Sequence, residues 1–332
     1  MEPIESLKWP SDTDVELSFD RTIDRSQVHR TAVSEVFLTD VRALDERRVV
    51  LAGQLPSCHS YFNDHADQGS AVDPLLIMEV GRQATLASAH ELGVPADVVL
   101  ISSGFELRVT DPDLWQEAGL CAVLRLDSEF TWTRIRRGRP RAGTCEQRIM
   151  LDGRLAARHC SSGQLLAPGE LAALREAQRG TPPPRSADLA DQPDPQAVPP
   201  ELAGRRDALN VVLADLRQDG ESFTARVAPR LSNRALFDHS YDHLTMQVLT
   251  EAARQLALIR LGGGSARMAQ DWQLIGLTGA FARFAELDAV ATVRAATPAS
   301  SGDHVTVPVT VSQDGESVAR LEVTLVSRTE KS

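Results

Sequence analysis

The sequence contains very little lysine, no closely spaced cysteine pair and no long apolar run. Lys8 and Lys331 are the only lysines, and the 46 acidic residues outnumber the 35 basic residues, which gives a formal net charge of −11. This balance disfavours a general nucleic-acid binder, because affinity for phosphate backbones needs a positive surface. No stretch approaches the roughly 20 apolar residues of a membrane span. The acidic N-terminus lacks the basic and then apolar pattern of a secretory signal, so we expect a cytoplasmic protein.

The four cysteines, Cys58, Cys121, Cys145 and Cys160, form no Cys-x-x-Cys motif. A chain of 332 residues does not need disulfide bonds to fold. We therefore predict four free thiols, with neither a disulfide framework nor a zinc site. No two histidines have the spacing of metal ligands on one helix face, so we expect no metal and no cofactor.

The length and composition indicate a soluble protein of two domains. Hydrophobic residues make up 42% of the chain and charged residues 24%, which suits a globular protein, and domains have about 150 residues each. The segment at 181–200 holds seven of the 18 prolines and no aromatic residue. This composition predicts an extended linker rather than packed structure. The predicted division is an N-terminal segment at 1–27, a first domain at 28–180, a linker at 181–202 and a second domain at 203–332.

The two halves contain a repeated pattern. YFNDHADQGSAVDPLLIMEVGRQATLASAHELG at 61–93 and LFDHSYDHLTMQVLTEAARQLALIRLGG at 236–263 both contain Asp-His, an apolar stretch, Glu-x-x-Arg-Gln and then Leu-Gly. The only two tyrosines, Tyr61 and Tyr241, lie beside these Asp-His elements. The order of several shared features predicts a duplicated domain.

Each repeat predicts one largely buried helix, over 73–92 in the first half and 245–261 in the second, because apolar residues recur near the 3.6-residue period. The rest of each half has the pattern of strands. The predicted strands are 32–41, 47–54, 97–109, 119–132, 142–151 and 154–161, then 208–216, 221–229, 273–284, 287–297, 303–313 and 316–327. The predicted fold class is α+β, with a curved, mostly antiparallel sheet wrapped around one long central helix in each half.

Four segments carry a family resemblance: VHRTAVSEVFLTDVR at 28–42, LPSCH at 55–59, DPLLIMEVGRQA at 73–84 and FDHSYDHLTMQVLTEAARQLA at 237–257. Together they resemble the AfsA-like family of A-factor and γ-butyrolactone biosynthesis proteins. The resemblance implies a tandem hotdog fold. It also implies an acyltransferase that moves a β-ketoacyl chain from an acyl carrier protein thioester to the hydroxyl of dihydroxyacetone phosphate or a close relative.

The resemblance further implies that Glu79, Glu251 and Arg254 are functional, and that the protein is a monomer with two pseudo-dimeric halves or a homodimer. Two departures from the family pattern concern the substrate. Met246 stands near the start of the second helix, where the family usually has a Pro-Gly turn, and we expect it to crowd the second site. Ser57 stands where an arginine is common, which removes one contact to phosphate.

The Glu-x-x-Arg-Gln pattern places three polar side chains on one face of each predicted helix. Burial raises the pKa of a carboxyl group toward the range of a general base, so we expect either glutamate to deprotonate the acceptor hydroxyl. The arginines would orient the carboxylate or hold the acceptor phosphate. The alternative is an ordinary helix pair worth about 0.2 to 0.5 kcal/mol. The residues are Glu79, Arg82 and Gln83 in the first half and Glu251, Arg254 and Gln255 in the second.

Three Asp-His pairs precede the predicted helices. A histidine that is oriented by a neighbouring carboxylate can act as an acid or base or bind substrate. The alternative is that the aspartates of these pairs cap helices and turns. The pairs are Asp64-His65, Asp238-His239 and Asp242-His243. The residues predicted to bind substrate are His65, Asp242 and His243, together with Arg82, Gln83 and Gln255 of the helices.

The segment TRIRRGRPR at 133–141 has five arginines within eight residues of an otherwise acidic chain. It is typical of a solvated hairpin tip, or of a surface that attracts an acidic carrier protein. For the whole protein, two functions remain beside the transferase: a hotdog dehydratase or thioesterase acting on acyl thioesters, and a non-catalytic protein that binds acyl ligands.

Overall fold

The computed structural model describes residues 15–65, 72–118, 121–191, 193–265 and 271–327. The described residues form four α-helices and thirteen strands. The helices are α1 (Pro74–Glu91), α2 (Pro112–Glu117), α3 (Pro168–Arg179) and α4 (Met246–Leu261). The strands of the first half are β1 (Leu38–Ala43), β2 (Arg48–Gln54), β3 (Val99–Val109), β4 (Val123–Arg136), β5 (Arg139–Leu151) and β6 (Arg154–Leu166). Those of the second half are β7 (Leu213–Asp219), β8 (Ser222–Val227), β9 (Trp272–Phe281), β10 (Ala291–Ala295), β11 (Ala299–Ser301), β12 (His304–Gln313) and β13 (Glu316–Ser327).

All the strands belong to one sheet with a pseudo-twofold arrangement. The first half has the order β1-β2-β4-β5-β6-β3, and the second continues as β9-β13-β12-β10-β8-β7, with β11 paired to β12. Apart from β11, this is the same strand order, reversed across the junction of β3 with β9. Every strand pair is antiparallel, and each half wraps around one long helix, α1 or α4. The repeat in the sequence is therefore a repeat in the fold.

The junction between the halves depends on close backbone approach. Strands β3 and β9 pair from Gly104 with Ala280 to Arg108 with Gly276. A Cβ atom on Gly279 would lie 2.4 Å from the ring of Phe105, so only glycine leaves room for that ring. The two halves are thereby joined as one continuous sheet.

The two central helices begin close to the predicted positions. The side chain of Asp73 accepts a hydrogen bond from the backbone N–H of Leu75, and Thr245 accepts one from Val248. Both residues therefore act as N-caps. Because strands surround both helices, most of their residues are buried on every side.

Several predicted boundaries were wrong. Strand β1 begins at Leu38 rather than at 32, because Val33–Glu35 forms a 3-10 turn, and β7 begins at Leu213 rather than 208, because Ala208–Asn210 does the same. Helices α2 and α3 and strand β11 were not predicted. Both helices begin with proline, which is a start signal that the strand pattern around them concealed.

The described residues of 181–202 are mostly exposed, and a few of them contact the second half. The side chain of Val198 is 3% exposed, and its N–H donates a hydrogen bond to the carbonyl of Leu213 at 2.9 Å. The N–H of Ser186 donates to the carbonyl of Tyr241 at 2.7 Å. Extended, proline-containing backbone can still pair at a sheet edge. The four domain boundaries stay a prediction.

Cys58, Cys121, Cys145 and Cys160 are free thiols, as predicted. In the described part of the chain, no helix combines the length and apolarity that a membrane crossing requires. The same residues contain no group of three or more histidine, cysteine, aspartate or glutamate side chains placed to hold a metal ion.

Candidate functional site

Glu79 on α1 is completely buried and accepts hydrogen bonds from both halves of the molecule. Arg82 donates to both carboxylate oxygens at 2.8 Å, and Arg30 lies 2.7 Å from one of them. Gln83 donates at 2.8 Å, and Gln247, from the first turn of α4, donates at 2.7 Å. The start of the second helix therefore contacts the carboxylate of the first.

The expectation that burial raises the pKa of Glu79 was wrong. Burial is the largest single influence and acts upward, but the guanidinium groups of Arg30 and Arg82 together outweigh it. They lower the pKa of Glu79 to about 2. Glu79 is thus ionised at neutral pH and is a weak base.

An Asp-His pair from the second half lies next to this carboxylate. The carboxylate of Asp238 is 2% exposed and lies 3.3 Å from Arg30, which thus bridges Asp238 and Glu79. Asp238 also accepts hydrogen bonds from the N–H of Thr31 and from the hydroxyl of Tyr241, both at 2.9 Å. Nδ1 of His239 lies 2.8 Å from the same carboxylate.

The ring of His239 extends toward solvent. Its side chain is 40% exposed, and the ring packs on Tyr241 with 4.0 Å between centroids. An Nδ1–H that donates to Asp238 leaves Nε2 as the unprotonated nitrogen. Arg82 is also open, with 24% of its side chain exposed. Its Nη1 forms no hydrogen bond with any residue that the structure describes.

Glu251 on α4 occupies the equivalent position in the second half. Arg205 lies 2.9 Å from it and Arg254 2.7 Å, and the hydroxyl of Tyr61 donates to it at 2.9 Å. Arg254 also forms two hydrogen bonds, at 2.8 and 3.0 Å, with Asp73, the N-cap of α1. Burial acts to raise the pKa of Glu251, but the two arginines lower it below its ordinary value.

The second cluster is closed. The side chains of Arg205 and Glu251 are 0% exposed, that of Asp73 is 1% exposed and that of Arg254 is 7% exposed. Two carboxylates and two guanidinium groups thus neutralise one another inside the protein. Arg254, the residue equivalent to the open Arg82, is thus enclosed in the second cluster.

Gln83 and Gln255, predicted to bind substrate, hold the backbone in both halves. Gln83 accepts a hydrogen bond from the N–H of Phe37 at 2.9 Å and donates to the carbonyl of Glu35 at 2.7 Å. Gln255 accepts a hydrogen bond from the N–H of Val212 at 3.0 Å and donates one to the carbonyl of Asn210 at 2.8 Å. Each amide also bonds the glutamate of its own helix, so both side chains are fully engaged.

Met246 lies at the first position of α4, and the next residue, Gln247, contacts Glu79. The turn that departs from the family pattern therefore faces the glutamate of the first half, not that of the second as we expected. The pseudo-twofold arrangement places the start of each central helix beside the glutamate region of the other: Gln247 contacts Glu79, and Asp73 contacts Arg254. At the start of α1, Pro74 has no N–H, so that end offers one amide donor fewer to Glu251.

The other predicted site residues lie at the edge of these clusters. Asp242 and His243 bond to each other at 2.6 Å, and Asp242 also accepts from Arg175 of α3 at 3.1 Å. The ring of His243 packs on Phe284 and lies edge-on to Tyr241. His65 pairs with Arg205 in an isolated β-bridge and thus lies beside the Glu251 cluster.

The aspartates of the Asp-His pairs do not cap the central helices, because Asp73 and Thr245 do so. Instead, Asp238 accepts a hydrogen bond from the N–H of Thr31 in the first half, and Asp64 accepts one from the N–H of Asp207 in the second. These contacts cross the molecule in equivalent ways.

Comparison with known proteins agrees with this architecture. The sequence profile of the A-factor biosynthesis hotdog domain, AfsA, matches residues 11–164 and again residues 187–327. The chain belongs to the AfsA family. The two matches correspond to the two halves of the sheet, and the predicted family is confirmed.

Curated members of the AfsA family match along almost the whole chain. A Streptomyces virginiae protein named 2-oxo-3-(phosphooxy)propyl 3-oxoalkanoate synthase is 32% identical over 308 residues, which cover 90% of this chain and 95% of the relative. A Streptomyces coelicolor protein of the same name is 30% identical and covers 88% of this chain and 87% of its own length. A crystal structure described as an oleoyl thioesterase from Lactobacillus plantarum aligns with a TM-score of 0.50 at 14% identity, covering 85% of this chain and 96% of that one. This likeness confirms the hotdog fold.

Sequence reasoning missed the arginines that precede the first strand of each half. Arg30 lies seven residues before Phe37, and Arg205 lies seven residues before Val212, the residues whose N–H groups bond the two glutamines. These equal spacings are the sequence signal for the two arginines, and a search for the repeat upstream of the helices could have found it. Asp73 had no comparable signal, because its partner Arg254 is 181 residues away.

Proposed function

We propose that this protein transfers a β-ketoacyl chain from an acyl carrier protein thioester to the hydroxyl of dihydroxyacetone phosphate, and that the reaction occurs at the Glu79 cluster. The relatives named for synthesis of a 2-oxo-3-(phosphooxy)propyl 3-oxoalkanoate support the reaction, because that product is the ester of these two parts. One observation supports the place: the Asp238–His239 pair and the open Arg82 meet there across the two halves.

His239 is the proposed base of this reaction. Acyl transfer to an alcohol needs a group that removes the hydroxyl proton. Glu79 is unsuited to this task, because Arg30 and Arg82 lower its pKa to about 2. His239 is open to solvent, and the buried carboxylate of Asp238 holds its ring. The pairing orients the imidazole, as an Asp-His pair does in other acyl-transfer enzymes.

Arg82 is the proposed anchor for the acceptor phosphate. Its Nε and Nη2 groups are held by Glu79, which leaves Nη1 for a ligand. A guanidinium group suits phosphate because it offers donors in a planar fork. In this account Glu79 does not react; it fixes Arg30 and Arg82 so that one reaches Asp238 and the other reaches the acceptor.

The start of α4 is the proposed site for the thioester oxygen. The N–H groups of Met246 and Gln247 lie at the first two helix positions, where no earlier turn can accept from them. The helix dipole also favours negative charge there. The side chain of Gln247 reaches Glu79, which places these amides beside the cluster. They can therefore stabilise the oxyanion that forms on the carbonyl.

The proposed step balances as follows. The acceptor hydroxyl oxygen forms a bond to the thioester carbonyl carbon while its proton moves to Nε2 of His239. The carbon–sulfur bond then breaks, and the departing thiolate takes the proton from His239. The products are the phosphorylated ester and the free thiol of the carrier, and the imidazole returns to its starting state.

The test is to incubate the purified protein with a β-ketoacyl carrier thioester and dihydroxyacetone phosphate, and to identify the products by mass spectrometry. We expect the phosphorylated ester and free carrier thiol in equal amounts. Free β-keto acid without ester would instead indicate a thioesterase. An intact thioester that remains bound to the protein would indicate a non-catalytic acyl binder.

A further inference from the structure

We propose that the tip of the β4–β5 hairpin is a docking surface for the acidic carrier protein that delivers the acyl chain. This inference rests on the proposed function, because it concerns the donor of that reaction. The surface consists of residues 134–139 and the groove beside them. The mechanism described above does not use this part of the molecule.

The hairpin tip carries positive charge that no described salt bridge neutralises. Arg136, Arg137 and Arg139 are exposed and form no ion pair with a described carboxylate, whereas Arg141 is paired with Glu170 of α3. The chain as a whole has a net charge of −11. A concentrated basic tip on an acidic protein attracts an acidic partner to one place and repels it elsewhere.

The tip also exposes an apolar side chain among these charges. Ile135 is 60% exposed, one of the few large hydrophobic residues with so open a position. The turn at Arg137 and Gly138, with φ values of 52° and 73°, keeps the tip narrow and projecting. An apolar contact ringed by arginines suits a partner surface that combines acidic and apolar residues, such as an amphipathic acidic helix.

A groove of about 350 Å³ adjoins the hairpin. Gly143 and Gly163, which face each other across β5 and β6, both line it, so two side chains are missing from this part of the sheet. Arg134 of the tip also lines the groove, together with Ser103 and Ser162. The groove thus adds a concave polar surface beside the basic tip.

The base of the hairpin leads to the proposed reaction site. Phe130 of β4 packs with Ala89 in the last turn of α1. Within the described helix α1, only Arg82, beside the Glu79 cluster, and His90 and Glu91, at the end near Ala89, are not buried. The path along the helix from residue 79 to residue 89 is about 15 Å at 1.5 Å per residue. An acyl chain on an extended prosthetic arm can span such a path.

Two measurements test the docking surface. One is the affinity of the full-length protein for an acyl carrier protein, by calorimetry at low and moderate salt. The other is kcat/KM for the carrier thioester compared with that for the same acyl chain on free pantetheine. The variant is Arg136→Glu/Arg137→Glu/Arg139→Glu. A matched control, Arg217→Glu/Arg283→Glu/Arg320→Glu, changes the charge equally at exposed arginines of the second half that form no described ion pair.

We expect the hairpin variant to lose about 10-fold or more in carrier affinity and in kcat/KM for the carrier thioester, with the pantetheine thioester unaffected. The control variant should stay within about twofold of the unaltered protein in all three values. Unchanged carrier affinity in the hairpin variant, or an equal loss in both variants, would overturn the docking surface. If the unaltered protein binds the carrier but makes no ester from either thioester, the proposed function fails while the binding data still decide the docking surface.

Discussion

Glu79 and Glu251 occupy equivalent positions on two helices of one duplicated fold, yet their surroundings differ. Around Glu79, one arginine side chain is 24% exposed and an Asp-His pair extends to solvent. Around Glu251, the equivalent Arg254 is 7% exposed and is held by Asp73. The same Glu-x-x-Arg-Gln motif thus forms an open cluster in one half and a closed ion network in the other.

The difference extends to the strands beneath the helices. Gln147 and His159 pair across β5 and β6 under α1, with Nδ1 of His159 2.7 Å from the amide oxygen of Gln147. In the second half, the strands β12 and β13 pair Val309 with Leu321, both fully buried. A polar pair thus lies beneath α1 where an apolar pair lies beneath α4. This difference agrees with the proposal that the reaction occurs at the Glu79 cluster.

The largest expected effect concerns the base in the open half. Replacing His239 with alanine should lower kcat by about 100-fold to 10,000-fold, because general-base catalysis contributes that much. We expect added imidazole to occupy the space opened beside Tyr241 and to restore part of the rate. The control is His304→Ala, which removes an exposed histidine of another Asp-His pair, 3.3 Å from Asp303. An unchanged kcat for the first variant would exclude His239 as the base.

Methionine substitutions at the equivalent arginines, Arg82 and Arg254, should have different effects in the two halves. Arg254→Met removes the salt-bridge partner of the buried Asp73 and leaves Glu251 with Arg205 alone, so we expect a loss of about 3 to 5 kcal/mol in the free energy of unfolding. Arg82→Met should cost less stability, because its side chain is partly open, and should mainly raise KM for dihydroxyacetone phosphate. Denaturant unfolding and steady-state kinetics measure both. Equal stability losses with unchanged KM would contradict the assignment of an open and a closed half.

The first half should also be the more acid-sensitive. Complete burial lowers the pKa of His159 to about 4, compared with 6.5 in an unfolded chain. Since the unfolded state then binds more protons, the stabilising contribution is complete above pH 6.5 and is lost as the pH falls from 6.5 to 4. The loss is about 3 kcal/mol. His159→Gln should reduce the pH dependence of the unfolding free energy between pH 4 and 6.5. An unchanged pH dependence in this variant would show that His159 is not its cause.

The smallest expected effect concerns the helix residues that follow each glutamate by two positions. A Cβ atom on Gly81 would lie 2.7 Å from the ring of His159, so Gly81→Ala should destabilise by about 1 to 3 kcal/mol. Helix propensity alone predicts a gain of about 1 kcal/mol. Adding His159→Ala should restore that gain, and Ala253→Gly in the other half should cost about 1 kcal/mol. Stabilisation by Gly81→Ala alone would show that the ring does not restrict this position.

Much of the fold could be predicted from the sequence because the signals are local. The periodicity around Glu79 and Glu251 predicted both helices to within one residue at each end, and alternation predicted the main strands. The 3-10 turns at Val33–Glu35 and Ala208–Asn210 could not be predicted, because their apolar residues continue the strand pattern.

The site was harder to predict because its decisive contacts join distant residues. The pKa of Glu79 depends on Arg30, 49 residues away, and the motif itself shows only Arg82. Likewise, identical motifs in the two halves gave no indication that Asp73 would close one of them. Such differences arise from how the halves pack across the sheet, which local spacing does not encode.

The most direct test of this account compares Glu79→Gln with Glu251→Gln in single-turnover transfer to dihydroxyacetone phosphate, with rates normalised to the folded fraction. We expect Glu79→Gln to lower the rate about 100-fold or more, because Arg30 and Arg82 lose their shared anchor. Folded Glu251→Gln should stay within about threefold of the unaltered protein, although it unfolds more easily. A large rate loss in the Glu251 variant with a near-normal Glu79 variant would contradict the central claim.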